Sequence, residues 1–243
     1  MKAFILAAGL GTRLKQLTEN QPKALVELNG KTLLEHSLMR LKAEGINDFV
    51  INVHHFADKI ENFLKEKNNF NCNIKISDER NELLDTGGAI IHAKNLLKNS
   101  ENILIHNVDI ISDINLKKLI QFHKEKNALA TLAVNDRNSS RKLFFDKNMQ
   151  LCKWKNFISG EEKTARKTEN KLTELAFAGI HIVNTEIFKH ITEIGKFSII
   201  DLYLRLAKEK TIAGYKTKNT FWFDLGTPEK LIKAELYLKN MQR

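Results

Sequence analysis

The chain has 243 residues, of which 42% are hydrophobic and 28% are charged. These fractions are ordinary for a globular protein and exclude a disordered, collagen-like or coiled-coil chain. Lys and Arg outnumber Asp and Glu by 39 to 29, which gives a net charge of +10, but most of the excess is Lys spread along the chain. This dispersion is typical of solvated surface and differs from the clustered Arg of a base-reading nucleic-acid surface.

The chain contains two cysteines, Cys72 and Cys152, which are too few for a disulfide framework or a cysteine-rich zinc site. Reduced thiols are therefore the simplest interpretation. The apolar start at 3–6 is too short for a signal peptide, and no stretch approaches the roughly 18–20 apolar residues of a membrane span. We expect a cytoplasmic protein whose partners are neither membranes nor nucleic acids.

Short apolar runs alternate with amphipathic stretches over the first half of the chain. The apolar runs predict strands at 2–7, 48–53, 73–77, 102–106 and 128–134. Helical spacing predicts helices at 31–43, around 56–64, at 89–98 and, with Asp113 as the N-cap, up to Lys126. This order predicts an α/β fold with a mostly parallel sheet, helices on both faces and a ligand beyond the carboxyl ends of the strands.

The second half of the chain is less regular. Its predicted elements are hairpin strands at 142–145 and 150–154, a mobile loop or long hairpin tip over 156–171, a strand over 175–183, a helix over 199–208 and strands over 211–215 and 220–224. Thr227 as N-cap and Pro228 begin a last helix that runs to about Asn240. No Pro-, Gly- or Ser-rich linker interrupts this order, so we expect one domain over 1–243, with parts of about 1–135, 136–220 and 221–243.

The first candidate site is the stretch Leu6-Ala-Ala-Gly-Leu-Gly-Thr-Arg-Leu14, which directly follows the first predicted strand. Its glycines, Gly9 and Gly11, let the backbone approach a phosphate closely, and Arg13 adds a planar charged fork. A dinucleotide-binding fingerprint would need Gly in place of Leu14, and a P-loop would need Gly in place of Leu25. An ordinary glycine-containing turn is the alternative that spacing alone leaves open.

One lysine and two aspartates form the second group of candidates. Lys23 follows Pro22, which fixes the backbone before it, although a lysine after proline usually belongs to a surface turn. Asp109 and Asp224 each end an apolar strand, so both carboxylates are expected on the ligand side of the sheet. Two such carboxylates could hold one Mg²⁺ against a nucleotide phosphate. The alternatives are that Asp109 begins a loop and that Asp224 belongs to the start of the last helix.

Two further clusters contain residues of chemical interest. The stretch Asp85-Thr86-Gly87-Gly88 opens a predicted helix, and its small residues would let a planar base or a sugar ring rest on the backbone. The pair His54-His55 is adjacent in sequence and lacks the i, i+4 spacing of helical metal ligands. We therefore expect no metal site at the two histidines.

Together these motifs resemble the family of sugar-1-phosphate nucleotidyltransferases, also called nucleotide-sugar pyrophosphorylases. The family signature is Gly-x-Gly-Thr-Arg-Leu followed about ten residues later by Pro-Lys-x-Leu, and it is matched over 6–25. The resemblance continues through Thr86-Gly87-Gly88, Asp109, 177–180 and 222–228, so it covers nearly the whole chain. The short length and the stretch over 82–88 are most similar to the N-acetylmuramate-1-phosphate uridylyltransferases.

The resemblance implies a Rossmann-like, mostly parallel sheet flanked by helices, with a smaller β-rich sugar-binding lobe over about 136–220. It also implies Mg²⁺-dependent transfer of a nucleoside monophosphate from an NTP to a sugar 1-phosphate, with release of pyrophosphate, by a monomer or small homo-oligomer. Arg13 and Lys23 are the implied catalytic residues, Asp109 and Asp224 the implied metal ligands, and Gly179 the implied sugar contact. The implied nucleotide contacts are Ala8, Gly9, Gly11, Thr12, Arg13, Thr86, Gly87, Gly88 and Asn107.

Two positions depart from the family pattern. The family often has Pro where this chain has Gln16, and it usually has Gly where this chain has Val108, next to the implied metal ligand. We expect a side chain at position 108 to narrow the pocket. UTP with an amino-sugar 1-phosphate such as N-acetylmuramate 1-phosphate is the favoured substrate pair. The alternatives are guanylyl transfer to mannose or heptose 1-phosphate, cytidylyl transfer to cholinephosphate, and, from another class, a catalytically silent nucleotide- or nucleic-acid-binding protein.

Overall fold

The fold is known from a computed structural model that describes residues 1–169 and 171–241. Its strands are β1 (Lys2–Leu6), β2 (Glu27–Leu28), β3 (Lys31–Thr32), β4 (Asp48–Val53), β5 (Asn73–Asp78), β6 (Asn102–Asn107), β7 (Ile110–Ser112), β8 (Ala130–Asn135), β9 (Arg141–Phe145), β10 (Leu151–Asn156), β11 (Glu162–Thr164), β12 (Thr173–Asn184), β13 (Ile212–Lys216) and β14 (Trp222–Asp224). Its helices are α1 (Leu33–Ala43), α2 (Ala57–Glu66), α3 (Asp85–His92), α4 (Lys94–Leu97), α5 (Leu116–Glu125), α6 (Ile199–Leu206) and α7 (Pro228–Met241). Short 3₁₀ turns include Thr12–Thr18 and Lys23–Leu25.

The main sheet has the strand order β11-β10-β9-β12-β6-β1-β4-β5, and β8 and β13 join it beside β12. Strands β6, β1, β4 and β5 are mutually parallel, as expected of apolar strands connected through helices. Strand β12 runs antiparallel to β6, β8 and β9, so it connects the parallel part to the β-rich lobe. The expected α/β fold, with a mostly parallel sheet flanked by helices, is confirmed.

Two hydrophobic clusters cover the two faces of this sheet. One cluster packs α1, α2 and α5 through residues such as Leu38, Ile60 and Leu119. The other packs α3 and α6 through residues such as Ile90 and Leu202. The sheet is therefore buried on both sides, and polar side chains can gather at its edge, where the parallel strands end.

Several element boundaries differ from the predicted ones, and each difference has a local cause. The helix expected to begin after Gly88 begins at Asp85, because the segment before α6 packs against both glycines. The expected N-cap Asp113 is wrong: Asn115 caps α5, and its Oδ1 accepts a hydrogen bond from the backbone N–H of Lys118 at 2.9 Å. The hairpin formed by β9 and β10 is confirmed. Strands β10 and β11 pair in a second hairpin whose turn and second strand lie within 156–171; Asn170 of this range lies outside the described residues.

The strand β12 is kinked where the lobe meets the parallel sheet. Its pairing with β8 shifts register between Phe177 and His181. Within this interval Gly179 adopts φ +73°, a left-handed conformation that is unfavourable for any residue with a Cβ. A Cβ on Gly179 would also lie 2.7 Å from the side chain of Ile110 and 3.1 Å from that of Asn107. The kink therefore requires glycine, and nearby carbonyl groups of β12 accept hydrogen bonds from the side chains of Arg137 and Trp222.

Gly179→Ala is expected to lower the free energy of unfolding by roughly 2–4 kcal/mol, because the left-handed backbone and the contact with Ile110 both oppose a Cβ. The matched control is Gly160→Ala, since Gly160 has φ +74° but no atom within 4 Å of an added Cβ. This control is expected to lose only about 1 kcal/mol. Urea unfolding of the two variants measures the difference, and equal losses would contradict the packing role of Gly179.

Two histidines are buried on neighbouring strands without hydrogen-bond partners for their ring nitrogens among the described residues. His106 lies on β6 and His181 on β12. Burial lowers the pKa of each to about 3; the charge of Arg40 adds to the effect on His106, and His106 adds to the effect on His181. Both imidazoles are therefore neutral in the folded protein at physiological pH.

The stability of the fold is expected to decrease as the pH falls below about 6.5, the ordinary pKa of histidine in the unfolded chain. Below this pH the histidines of the unfolded chain become protonated. In the folded protein His106 and His181 stay neutral down to their lowered pKa of about 3. Each histidine contributes up to about 1.4 kcal/mol per pH unit to this loss. Urea unfolding between pH 7 and 5 should show a smaller slope for His106→Leu than for the wild type. The exposed His55 supplies the control variant His55→Gln, and a slope unchanged in His106→Leu would contradict this account.

Among the described residues, none of the helices combines the length and the apolar composition that crossing a membrane requires.

Candidate active site

The loop after β1 forms one wall of the site. The side chain of Asn52, on β4, accepts hydrogen bonds from the backbone N–H groups of Ala7 and Ala8 at 2.7 and 3.3 Å. Gly9 and Thr12 are more open to solvent, which leaves the loop free to receive a ligand. Gly11 adopts φ +66°, and its carbonyl oxygen accepts a hydrogen bond from the backbone N–H of Leu14 at 2.8 Å. The loop is therefore a fixed turn with an exposed outer surface.

Lys23 lies directly beneath this loop. A Cβ on Gly11 would stand 3.0 Å from the Cβ of Lys23, so the absence of a side chain at Gly11 allows the two segments to pack closely. Pro22 adopts φ −70° and ψ 150°, and its carbonyl oxygen accepts a hydrogen bond from Leu25 N–H at 2.9 Å. Lys23 is only 8% exposed, and its ammonium group forms an ion pair with the carboxylate of Asp109. The lysine is thus a held cation and not a surface residue.

Strand pairing brings the two predicted metal ligands together. Asp109 lies between β6 and β7, and Asp224 ends β14, which pairs antiparallel with β7 and sets Asp224 opposite Ile110. The backbone N–H of Leu225 also donates a hydrogen bond to the carbonyl oxygen of Asp109 at 2.9 Å. The two aspartates are therefore adjacent at the carboxyl edge of the sheet, although they are 115 positions apart in the chain.

The Asp224 carboxylate has one paired and one free oxygen. Its Oδ2 accepts a hydrogen bond from Lys230 Nζ at 3.0 Å, whereas its Oδ1 is buried and has no hydrogen-bond partner among the described residues. Burial by itself would raise the pKa of Asp224, but the hydrogen bond from Lys230 and the charges of Lys230, Lys23 and Arg13 outweigh it and hold the pKa below its ordinary value. Asp224 is therefore an ionised carboxylate with an unused oxygen atom.

Gly226 allows Arg13 to approach this carboxylate. A Cβ on Gly226 would lie 2.7 Å from Arg13 Nη2 and 2.9 Å from Asp224 Oδ1. Any larger residue would thus push the guanidinium or the carboxylate out of place. A glycine before a helix is commonly part of a turn, so the sequence alone did not indicate this role for Gly226.

Three cavities join into one groove along this edge. The inner cavity, about 400 Å³ in volume, is lined by Leu6, Ala8, Gly9, Lys23, Asn52, Glu79, Leu83, Asp85, Thr86, Asn107, Val108, Asp109 and Lys196. The outer cavity, about 840 Å³, is lined by Arg13, Arg137, Asn138, Ser139, Ser140, Arg141, Leu143, Trp154, Phe177, Ile200, Trp222, Asp224 and Lys230. A middle cavity of about 400 Å³ shares Asn107 and Thr86 with the inner one and Trp154 and Phe177 with the outer one.

Glu79, like Asn52 and Lys196, lines the inner cavity and was not proposed from the sequence. It follows β5 and is 3% exposed; its Oε1 accepts a hydrogen bond from Asn52 Nδ2 at 2.8 Å. Its Oε2 accepts one from the backbone N–H of Leu84 at 3.4 Å. Burial raises the pKa of Glu79, and these two hydrogen bonds oppose the rise. The position at the carboxyl end of a parallel strand was the signal available in the sequence.

The glycines of the stretch 85–88 pack inside the protein. The backbone N–H of Gly87 donates to the carbonyl oxygen of Phe197 at 2.9 Å, and a Cβ on Gly87 would lie 2.3 Å from the Phe197 ring. A Cβ on Gly88 would lie 2.4 Å from the carbonyl oxygen of Gly195. Thr86, in contrast, lines the inner and middle cavities. The structure thus brings Thr86 to the groove and gives Gly87 and Gly88 a packing function; their contact with a nucleotide stays a prediction, as does the sugar contact of Gly179.

The remaining features concern Asn107, Val108 and the metal. Asn107 lines both the inner and the middle cavity, and Val108 lines the inner one. That the Val108 side chain narrows the pocket stays a prediction. Within residues 1–169 and 171–241, no three His, Cys, Asp or Glu side chains are arranged to hold a metal ion. Asp109 and Asp224 nevertheless fit Mg²⁺, which is commonly held by one or two carboxylates together with substrate phosphates and water, and the free Oδ1 of Asp224 is a suitable ligand atom.

Comparison with known proteins agrees with this geometry. The family described as nucleotidyl transferase matches residues 2–240. N-acetylmuramate alpha-1-phosphate uridylyltransferase of Caulobacter vibrioides is 33% identical over 97% of this chain and 96% of its own length. Mannose-1-phosphate guanyltransferase of Hypocrea jecorina is 30% identical over the whole of this chain, which spans 66% of that relative.

A solved structure shares the fold. HddC from Yersinia pseudotuberculosis, crystallised with GMP-PN, superposes with a TM-score of 0.76 over 98% of this chain and 99% of that protein, at 23% sequence identity. The match over residues 2–240 and the full-length similarity to the Caulobacter enzyme settle the family. The chain therefore belongs to the nucleotidyl transferase family, and its resemblance to the sugar-1-phosphate nucleotidyltransferases is confirmed.

Proposed function

We propose that this protein transfers UMP from UTP to an amino-sugar 1-phosphate such as N-acetylmuramate 1-phosphate, with Mg²⁺ as cofactor and pyrophosphate as the second product. The observation that carries the proposal is the groove in which Lys23, Arg13, Asp109 and Asp224 meet at one edge of the sheet. The 33% identity to an N-acetylmuramate alpha-1-phosphate uridylyltransferase over nearly its full length supports the choice of substrates.

The reaction requires positioning and charge neutralisation more than covalent chemistry. An oxygen of the sugar phosphate attacks the α-phosphorus of the NTP, and the bond to the β-phosphate oxygen breaks as pyrophosphate leaves. Arg13 and the loop with Gly9 and Gly11 hold the triphosphate, while Lys23 stands between the α-phosphate and the sugar phosphate. A Mg²⁺ ion bound by Asp109 and Asp224 would supply further positive charge to the phosphates.

The inner cavity suits a base that carries a ring N–H beside a carbonyl group. Glu79 places buried carboxylate oxygens on its wall as acceptors, and Lys196 lines the same cavity as a donor. Uracil and thymine N3–H and guanine N1–H each offer this donor–acceptor pair, whereas cytosine has an unprotonated nitrogen at the equivalent position. These groups support UTP and leave guanylyl transfer as the second candidate, which the similarity to a mannose-1-phosphate guanyltransferase also favours.

A matrix of four NTPs against a set of sugar 1-phosphates, with Mg²⁺ and a pyrophosphate assay, tests the proposal. UTP with N-acetylmuramate 1-phosphate is expected to give the highest kcat/KM. A maximum for GTP with mannose or heptose 1-phosphate, or for CTP with cholinephosphate, would replace this substrate pair by that alternative. The protein could instead bind nucleotide but release pyrophosphate from no substrate pair, while circular dichroism shows that it is folded. This result would favour the catalytically silent binding protein.

A further inference from the structure

The outer cavity contains a positively charged side chain to which no role has been assigned. Arg137 follows β8 and is half-buried among Trp154, Phe177 and Trp222. Asp224 lines the same cavity, so this guanidinium faces the space next to the proposed metal ligand.

Three groups fix the guanidinium of Arg137 in place. Its Nη1 donates a hydrogen bond to Asn135 Oδ1 at 3.1 Å, and its Nη2 donates one to the carbonyl oxygen of Phe177 at 3.0 Å. The indole ring of Trp222 stacks on it, with 4.0 Å between Cζ and the ring centroid. Trp222 is itself held, because its Nε1–H donates to the carbonyl oxygen of Ala178 at 2.8 Å. The kink in β12 supplies both carbonyl groups.

The held guanidinium lacks a direct counter-ion. Among the residues that the structure describes, no carboxylate lies within ion-pair distance of Arg137, whereas Lys230 pairs with Asp224, and Lys163 in the middle cavity pairs with Asp201 at 2.7 Å. Burial lowers the pKa of Arg137, and the charge of Asp224 opposes this effect, so the group stays protonated. A partly desolvated and oriented cation is stabilised when an anion binds next to it.

We propose that Arg137 anchors the phosphate group of the sugar 1-phosphate, an inference that rests on the proposed function. The aromatic rings of Trp154 and Phe177 line the same cavity and offer apolar surfaces for the C–H face of a sugar ring. Trp222, on which the guanidinium stacks, lies two residues before Asp224 on β14. The sugar phosphate is thereby held between the lobe and the metal ligand, with one of its oxygens directed to the α-phosphorus. Arg13, on the first loop, is left to bind the triphosphate.

Steady-state kinetics in both directions tests this role. Arg137→Gln is expected to raise the KM for the sugar 1-phosphate by about 10- to 100-fold, because a charge-assisted contact with one substrate is lost. In the reverse reaction the KM for the NDP-sugar should rise, while the KM values for NTP and for pyrophosphate should stay within about twofold of the wild type. Arg137→Lys, which keeps the charge but not the fork, should recover part of the loss.

Arg80→Gln is the matched control, since Arg80 is an exposed arginine that lines none of the three cavities and pairs with Asp58 and Glu61. It is expected to leave the KM for the sugar 1-phosphate within about threefold of the wild type. Calorimetric titration of the sugar 1-phosphate into each variant gives a readout that does not depend on turnover, and only the Arg137 variants should bind it more weakly.

Specific outcomes would overturn the role of Arg137. They are an unchanged KM for the sugar 1-phosphate in Arg137→Gln, an equal rise in the KM values for NTP and pyrophosphate, or an equal effect of Arg80→Gln. A merely structural role would lower the melting temperature of Arg137→Lys and Arg137→Gln alike without this selectivity between substrates. If the wild-type protein releases pyrophosphate from no substrate pair, the proposed function itself fails, and the titration then decides whether Arg137 binds the sugar phosphate.

Discussion

Asp224→Asn and Asp109→Asn are each expected to lower Mg²⁺-dependent pyrophosphate release by at least about 10³-fold, equivalent to about 4 kcal/mol of transition-state stabilisation. An amide keeps the shape of the carboxylate but removes its charge. At Asp224 the amide keeps only one oxygen, which Lys230 retains as its acceptor, so an NH₂ group takes the place of the buried Oδ1 and Mg²⁺ would lose a ligand atom. At Asp109 it removes the carboxylate next to Lys23.

A carboxylate at the opposite edge of the sheet provides the control for this prediction. Asp48 begins β4, and its exposed side chain accepts a hydrogen bond from Asn73 Nδ2 at 2.7 Å. Asp48→Asn is expected to leave turnover within about twofold of the wild type, because surface substitutions away from the site have small effects. Initial rates of the three variants, measured over a range of Mg²⁺ concentrations, distinguish a weaker affinity for the metal from a lower rate at saturating metal. Full turnover in both Asp109→Asn and Asp224→Asn would remove these residues from the metal site.

The parts of the fold that depend on local sequence patterns were predictable. Strand β4 occupies the residues that its apolar run indicates, and the hairpin formed by β9 and β10 follows from its turn residues. The start of α3 was not predictable, because Gly87 and Gly88 disfavour a helix locally and enter one here only through contact with 195–197. Tertiary contact of this kind leaves no pattern within a short window of sequence.

The candidate site also contains residues that local sequence patterns indicate and residues that only tertiary contacts reveal. Gly11, Lys23, Asp109 and Asp224 stand in short motifs at strand ends, so sequence could propose them, and the structure places their segments side by side. Glu79 and Arg137 belong to no such motif, and Gly226 lies in the segment 222–228 without a role that the pattern assigns to it. Their significance comes from burial, from a close approach to Arg13, and from stacking on Trp222, and each of these involves a residue far away in the chain. Candidate residues could therefore be proposed from sequence where they stand in a motif, and not where contacts between separate elements bring them together.

Lys23→Gln is expected to change turnover and metal affinity in opposite directions. Turnover should fall by about 10²- to 10³-fold, because the cation proposed to stand between the two phosphates is lost. The affinity for Mg²⁺ in the absence of substrates should rise, because Lys23 and the metal compete for the same carboxylate of Asp109. Removing one partner of this largely buried ion pair should also lower the free energy of unfolding by about 1–3 kcal/mol when Mg²⁺ is absent.

Mn²⁺ titration by electron paramagnetic resonance and urea unfolding with and without Mg²⁺ measure these effects independently of catalysis. Lys31→Gln, an exposed lysine on β3, controls for the general loss of one positive charge and should change neither quantity measurably. Metal affinity that fell in Lys23→Gln would mean that the lysine supports the metal site instead of competing with it. A fall in turnover together with a rise in metal affinity would show that the ion pair with Asp109 holds Lys23 in position until the metal and the phosphates bind. In the absence of substrates, Asp109 would then offset the cost of burying the Lys23 charge that the reaction requires.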